Sequence, residues 1–463
     1  MTKKPLSGAG EGAPASTTRP LAGSSARDVA ARALVRVWQQ AAFASAALDG
    51  EVARARLDPR DAALATELCY GVLRVEPALL AKLQTVSDRF RAPSGLVRAH
   101  LLIGSYTLCF LDRVPPFAAV SEAVEAARRV ADPRVGGFVN AVLRRLATDI
   151  EKRGRPSLGE MVAASCPSWL WDALKRAMPP AEVARFLSEG PAAPPHALCV
   201  ADPSAREATI ARLREAMPSA TFEAGSASAR AIRVHAAGDL RKLPGFGEDF
   251  VAQEEGAQVV ALALGAHLGE RVLDACAGHG NKTWLLTHEV GPRGTVDAAD
   301  LHAPKLKQLT ATLRGKNEGG RAFAVDWSKG RGEVPDGYDR VLVDAPCSGT
   351  GTMRRRPEIA LRRTAEDVAR LAELQLAIVR RTASVVRTGG RLVFAVCSVL
   401  REEAEGVVEA AIAKGGDDGA RLVPVPFDAP AVRSLFGDVT AFRLLPHVHG
   451  TDGYFAASFE IQR

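Results

Sequence analysis

The chain has 463 residues, 47% hydrophobic and 24% charged, with no apolar run long enough to span a membrane. Its 60 basic and 53 acidic residues leave a net charge of +7, which permits a polyanionic partner without demanding one. Seven scattered cysteines, without CxxC or Cys/His spacing, exclude a disulfide framework and a structural zinc, so no metal is expected.

In chain order, Met1–Gly10 carries two lysines but no apolar segment behind them, so no secretory signal is expected and the cytoplasm is the expected compartment. Residues 1–24, rich in Gly, Ala, Ser, Thr and Pro, read as a disordered tail. From 25 to 150 the pattern is helical and Ala-rich. Leu64, Leu68 and Val72 recur at spacing four behind Pro59 and Asp61. Val120, Val124 and Ala127 repeat the stripe, as do Phe138, Val142 and Leu146, with breakers at 91–95, 114–116 and 132–133. This predicts an all-α domain. The charged stretch 151–156 reads as a linker, and 160–245 as a small α+β subdomain. Its predicted helices lie near 169–177 and 206–216, its strands at 197–200 and 231–234. From 250 to 463 strands alternate with amphipathic helices, predicting an α/β Rossmann-like domain built on a doubly wound parallel sheet. Ligands of such sheets bind at the C-terminal ends of the strands.

The first strand of that domain runs into Cys276-Ala277-Gly278-His279-Gly280-Asn281-Lys282, a small turn that lets the backbone approach a ligand. A P-loop fails because Asn281 precedes Lys282 and Cys276 stands at the first Gly position. A dinucleotide fingerprint fails because Thr283 replaces the third Gly. Asp300 ends the second strand, where it can accept from ribose hydroxyls, and Asp326 follows the third, within reach of an adenine edge. A small turn with a ribose-binding acid but no phosphate grip is what S-adenosylmethionine requires. A plain tight turn is the competing reading. His279 reads as a packing replacement, while Trp327 reads equally as an adenine-stacking or a core residue.

Two later strands end in Asp344-Ala-Pro-Cys347-Ser and Val396-Cys397-Ser. A single cysteine at such a place is usually a small buried hydrophobe. Two that face one cleft fit a particular chemistry. Carbon 5 of cytosine attacks a methyl sulfonium only after a thiolate adds at carbon 6. A second thiol can then take the carbon 5 proton so that the first is eliminated. Asp344 would sit by the ring nitrogens and favour their protonation during attack.

With these motifs the chain resembles the RsmB/Fmu (Sun) family of ribosomal RNA cytosine-C5 methyltransferases. Asp344–Gly351 followed by Arg354-Arg-Arg-Pro-Glu-Ile359 is similar to that family's fourth motif, and Cys397-Ser-Val with Glu402-Glu403 to its sixth. Phe138–Arg145 resembles the last helix of its NusB-like RNA-binding domain, and Thr451–Phe455 its closing strand. The resemblance implies Cys397 as nucleophile and Cys347 as release thiol, with Asp344 and Lys282 as further catalytic candidates. It implies a cofactor site formed by Cys276, Ala277, Gly278, His279, Gly280, Asn281, Lys282, Asp300, Asp326 and Asp344. The family's first motif usually reads Ala-Ala-Pro-Gly-Gly-Lys, so Gly278, His279 and Asn281 are departures, as is Val396 in place of Thr. Leu198–Asp202 lacks the family's usual Arg and Asn. The expected partner is small-subunit ribosomal RNA, gripped by the helical domain and by arginine doublets at 128–129, 144–145, 362–363 and 380–381 and the triplet 354–356; a monomer is expected. A catalytically silent RNA-binding assembly factor, or the same chemistry on transfer RNA, are the alternatives.

Overall fold

The computed structural model describes residues 24–88, 90–189, 194–235, 238–312 and 319–463. Nearly all of the expected tail, 1–23, lies outside the described residues. The chain forms two compact units, one of residues up to Val72 with Val86–Asp149, the other of Leu73–Thr85 with Ile150–Arg463.

The first unit is helical. Its opening helix, Ala26–Gln40, begins in a reciprocal capping box between Ser25 and Asp28, which satisfies backbone donors that a helix start leaves free. It ends where Ala41 turns left-handed. The helix Gly95–Phe110 is buried without interruption from Ala99 to Cys109, as expected of a helix apolar on all sides. Gly71 allows its approach: a Cβ there would lie 2.2 Å from Tyr106 Cζ. Between neighbouring helices the buried Glu51 accepts from Arg32 at 2.8 Å and Arg54 at 2.9 Å. The expected linker at 151–156 is largely helix. Pro133–Arg153 runs through its first half and stops at Gly154, where φ is +83°.

In the second unit, β1 (His196–Val200), β2 (Thr221–Ala224), β3 (Ala231–His235) and β4 (Phe250–Ala252) form an antiparallel sheet in the order β2-β3-β1-β4. The α+β piece therefore extends past 245, because β4 pairs with β1.

The larger sheet comprises β5 (Arg271–Asp274), β6 (Thr295–Asp300), β7 (Ala322–Ala324), β8 (Tyr338–Asp344), β9 (Val386–Val396), β10 (Arg421–Pro424), β11 (Ala441–Leu444) and β12 (Tyr454–Gln462). Its order is β10-β12-β9-β8-β5-β6-β7, with β11 also on β12. The stretch from β7 to β9 is parallel, as expected, but β12 is antiparallel to β9, β10 and β11. The sheet is thus mixed rather than wholly parallel. The link between β11 and β12 holds only a short helix, Pro446–His449, and is too short for a parallel crossover. Alternate residues feed opposite faces: Val341, Val343, Leu392 and Phe394 join one buried cluster, Leu342, Val393 and Ala395 the other. Each such side chain contributes about 1.5–3 kcal/mol on burial. Strand order reverses between β6 and β8 about β5, and that switch opens a crevice at the strands' C-terminal ends. Among the described residues no helix is long and apolar enough to cross a membrane, and no cluster of His, Cys, Asp and Glu could hold a metal.

Candidate active site

The turn after β5 is held from three sides. Gly278 N–H donates to Asp300 Oδ2 at 2.9 Å, and Gly280 N–H to Ala277 O at 2.8 Å. Thr283 Oγ1 donates to the buried Asp274 at 2.7 Å. Gly278 and Gly280 have φ of +57° and +85°, and a Cβ at Gly280 would lie 2.0 Å from Leu309 Cδ1. Here glycine is required, both for the backbone and for the close approach. Gly280 caps the helix Asn281–Val290 without a side-chain hydrogen bond to its first turn. His279 and Asn281 are exposed, which removes the expected packing role for His279; Asn281 reaches Ala252 O at 3.2 Å.

The remaining cofactor candidates separate. Asp300 Oδ1 accepts from His302 N–H at 2.8 Å, leaving both its oxygens with lone pairs for a diol. Asp326 accepts from Ser328 Oγ at 2.5 Å, from Ser328 N–H at 3.0 Å and pairs with Lys329 at 3.0 Å; these hydrogen bonds, that of the Ser328 hydroxyl first, hold its carboxyl below the usual range. Trp327 is a core residue. It is buried in the sheet cluster and donates Nε1–H to Ala275 O at 2.7 Å, so it is not an adenine platform. Burial keeps the Cys276 thiol well above its ordinary range, which leaves it inert. Burial also raises the Asp274 carboxyl to about 6, overriding its bond from Thr283.

Lys282 reaches across to Asp344 at 2.5 Å. Burial pulls the ammonium down, but the charge and hydrogen bond of Asp344, with Asp274 behind it, outweigh this and raise it. Lys282 thus remains a fixed cation beside the crevice.

The two thiols meet. Asp344 pairs in register with Ala395, so β8 and β9 end level, and Cys347 Sγ stands 3.3 Å from Cys397 Sγ. Gly351 N–H donates to Cys397 O at 3.0 Å and ties the loops together. The hydrogen bond with Cys397, then burial, raise the Cys347 thiol well above its ordinary range. Sequence reasoning missed the residues that support this pair: Ser348, Thr350, Gln375, Ser398 and Glu403, all buried and linked by hydrogen bonds. Only the Ser after each cysteine and the Glu402-Glu403 pair marked them in the sequence.

Most of the arginine groups make bonds within the protein, and those at 128–129 and 144–145 are exposed. Arg354 and Arg355 clamp the buried Asp452 from two sides, Arg355 at 2.9 Å. Arg380 and Arg381 share Asp417 at 3.1 and 3.2 Å. Arg129 pairs with Asp28 at 3.1 Å, Arg144 bonds Asn140 and Arg145 bonds Ser87. Arg363 donates to Ser348 O at 3.2 Å. These guanidiniums bond carboxylates, hydroxyls, an amide oxygen and a carbonyl of the protein itself.

The chain is similar to known proteins. Residues 261–460 match the family model for 16S rRNA methyltransferase RsmB/F, and residues 24–148 that of the NusB family. A ribosomal RNA small subunit methyltransferase B of Pseudomonas putida is 35% identical, covering 93% of this chain and 97% of its own length. One of Pasteurella multocida is 32% identical over 94% of this chain and 95% of its own. The crystal structure of PH0851 shares the fold with a TM-score of 0.74 at 20% identity, covering 95% of this chain and 99% of that one. That of NSun6 from Pyrococcus horikoshii with SFG gives 0.52 at 18% identity, over 64% and 98%.

Proposed function

The chain belongs to the RsmB/F family of 16S rRNA methyltransferases, and from that premise we propose that it methylates carbon 5 of a cytosine in small-subunit ribosomal RNA, with Cys397 as nucleophile and Cys347 as the release thiol. The observation that carries this reading is the 3.3 Å approach of two thiols at adjacent strand ends, beside the Lys282–Asp344 pair. S-adenosylmethionine would supply the methyl group, its sulfonium sulfur keeping the electron pair of the broken bond and leaving as a neutral thioether. Its holders are the turn from Cys276 to Lys282, with Asp300 for the ribose hydroxyls and Asp326 at the adenine edge. The glycine-only turn and the spare lone pairs of Asp300 fit that group.

The target base must leave its stack to enter the crevice. Cys397 gives its thiol proton to solvent and attacks near the fixed charge of Lys282, while a hydrogen bond with Cys397 and burial keep Cys347 protonated. A bond forms from Cys397 Sγ to carbon 6, the ring's electron pair moves toward carbon 5, and Asp344 steadies the proton at the ring nitrogen. Carbon 5 then takes the methyl group. Once Cys397 is bonded to carbon, the largest restraint on Cys347, its hydrogen bond and charge with Cys397, is gone, while burial remains. Cys347 can then release its own proton to solvent and accept the one from carbon 5; the carbon–hydrogen pair restores the ring double bond and Cys397 leaves as a thiolate. The two thiols work in sequence because the first step removes the largest restraint on the second.

Cys397→Ala should lower methylation by at least about a thousandfold while leaving RNA binding intact. Cys347→Ala should stop after methyl transfer and leave a protein–RNA adduct that survives denaturing electrophoresis. Retained turnover in the first variant, or no adduct in the second, would remove the corresponding role. His279 and Asn281 place two of the three departures at exposed positions, while Gly280 and Lys282 keep the family's residues, which favours an active enzyme over a silent assembly factor.

A further inference from the structure

Glu402 and Glu403 are neighbours with opposite surroundings. Glu402 is half-buried and pairs with Arg176 at 2.6 Å. Glu403, on the short turn Arg401–Glu403, has no exposed surface and no cation among the partners of its oxygens. Instead Oε1 accepts from Ser348 N–H at 2.7 Å and from Gln375 Nε2 at 3.0 Å, while Oε2 accepts from Ser348 Oγ. Gln375 Nε2 also donates to Pro346 O at 2.9 Å. The peptide groups on both sides of Cys347 are therefore gripped, one by Glu403 and one by Gln375. The same hydroxyl of Ser348 lies 3.3 Å from Ser398 Oγ, and Thr350 Oγ1 lies 3.1 Å from it, so the network crosses to the residue after Cys397. A buried carboxylate fed only by neutral donors is costly, and its burial is explained if it fixes something that must not move.

We propose that Glu403 is a positioning residue for product release, holding the Pro346–Ser348 backbone so that Cys347 stands against Cys397 and presenting its negative charge to that thiol. The proposal rests on the release role of Cys347 given above. Three anionic or ionisable groups face Cys347: Cys397, Glu403 and Asp344. Glu403 is the one that belongs neither to the reacting pair nor to the cofactor crevice. Its charge adds to that of Cys397 in opposing early ionisation of Cys347, and persists after Cys397 has been consumed.

The test is pre-steady-state methylation of a ribosomal RNA fragment with S-adenosylmethionine by Glu403→Gln and Ser348→Ala, following first-turnover methyl transfer and adduct decay separately across pH. Glu403→Gln should leave methyl transfer within about threefold, slow adduct decay about tenfold, and move the pH midpoint of decay downward because a negative neighbour is gone. Ser348→Ala keeps the charge and the backbone bond, so decay should slow about threefold with an unmoved midpoint. Thermal melting checks that each variant is folded. If Glu403→Gln does not fold, Ser348→Ala decides: decay at the parent rate overturns the proposal. In a folded Glu403→Gln protein, an unchanged decay rate and midpoint overturn it, as does a tenfold loss of the first methyl transfer. Cys347→Ala, run alongside, separates the two claims. If it traps no adduct, the release role itself fails; if it does and the other variants behave as parent, only the role of Glu403 falls.

Discussion

The cofactor turn after β5 and the thiol loops after β8 and β9 lie at one end of one sheet, yet they are held by different means. The turn depends on backbone shape: two left-handed glycines and one N–H bonded to Asp300. Its outward positions, His279 and Asn281, are exposed and carry two of the three departures from the family's first motif. The thiol loops depend on buried polar side chains, Ser348, Thr350, Ser398, Gln375 and Glu403, with Arg354 and Arg355 clamping Asp452 behind them. A site shaped by backbone tolerates side-chain change wherever the side chains point to water. One built from a closed hydrogen-bond network does not, because each lost partner leaves a buried group unsatisfied.

Four substitutions can break or sharpen this contrast. Asp274 lies beneath the turn, and burial raises its folded value to about 6 from an ordinary 3.8. The folded state then binds more protons than the unfolded chain between those values, so stability from this group is present at low pH and is lost as pH rises through 6. The gap corresponds to about 3 kcal/mol. Urea melts of Asp274→Asn and parent should diverge by that amount in the variant's favour between pH 4 and pH 7, and parallel curves would place the proton elsewhere.

Next in size is Gly351→Ala. Its Cβ would fall 2.1 Å from Gly453 O, backbone against backbone, and the loop that aligns the thiols must move. Turnover should fall about a hundredfold with cofactor binding little changed, as measured by methyl incorporation beside calorimetry.

Gly280→Ala should act in the opposite manner. The left-handed backbone costs about 1–2 kcal/mol in an L-residue, so S-adenosylmethionine affinity should weaken about tenfold. The alkylation behaviour of Cys347 and Cys397 should stay as in the parent. The smallest effect belongs to His279→Pro with Asn281→Gly, which restores two of the family's residues at exposed positions. Cofactor affinity should change by less than about threefold; a larger gain would mean that these side chains obstruct the site.

The sequence by itself determined a great deal here. Periodicity separated the helical part from the α/β part, because a 3.6-residue stripe and a buried strand differ in spacing alone. Strand-end placement brought Cys347, Cys397, Asp300 and Lys282 to one crevice, since a parallel sheet sends its strand ends to one side. The Cys-Ser repeats and the Gly278/Gly280 turn are local and could be read locally. Tertiary structure decided what depends on partners distant in the chain. β12 returns antiparallel because its link from β11 is short, a matter of connection and not of strand composition. Arg354 and Arg355 read as an RNA-binding triplet until Asp452, nearly a hundred positions on by sequence, is seen between them. Trp327 could have stacked on a ligand, but the carbonyl of Ala275 takes its N–H in the core. Glu402 and Glu403 are the same residue twice in sequence. Burial leaves one in a half-buried ion pair and makes the other an anchor of the thiol loops, because desolvation is set by what packs around a side chain, which neighbouring residues in the chain do not reveal.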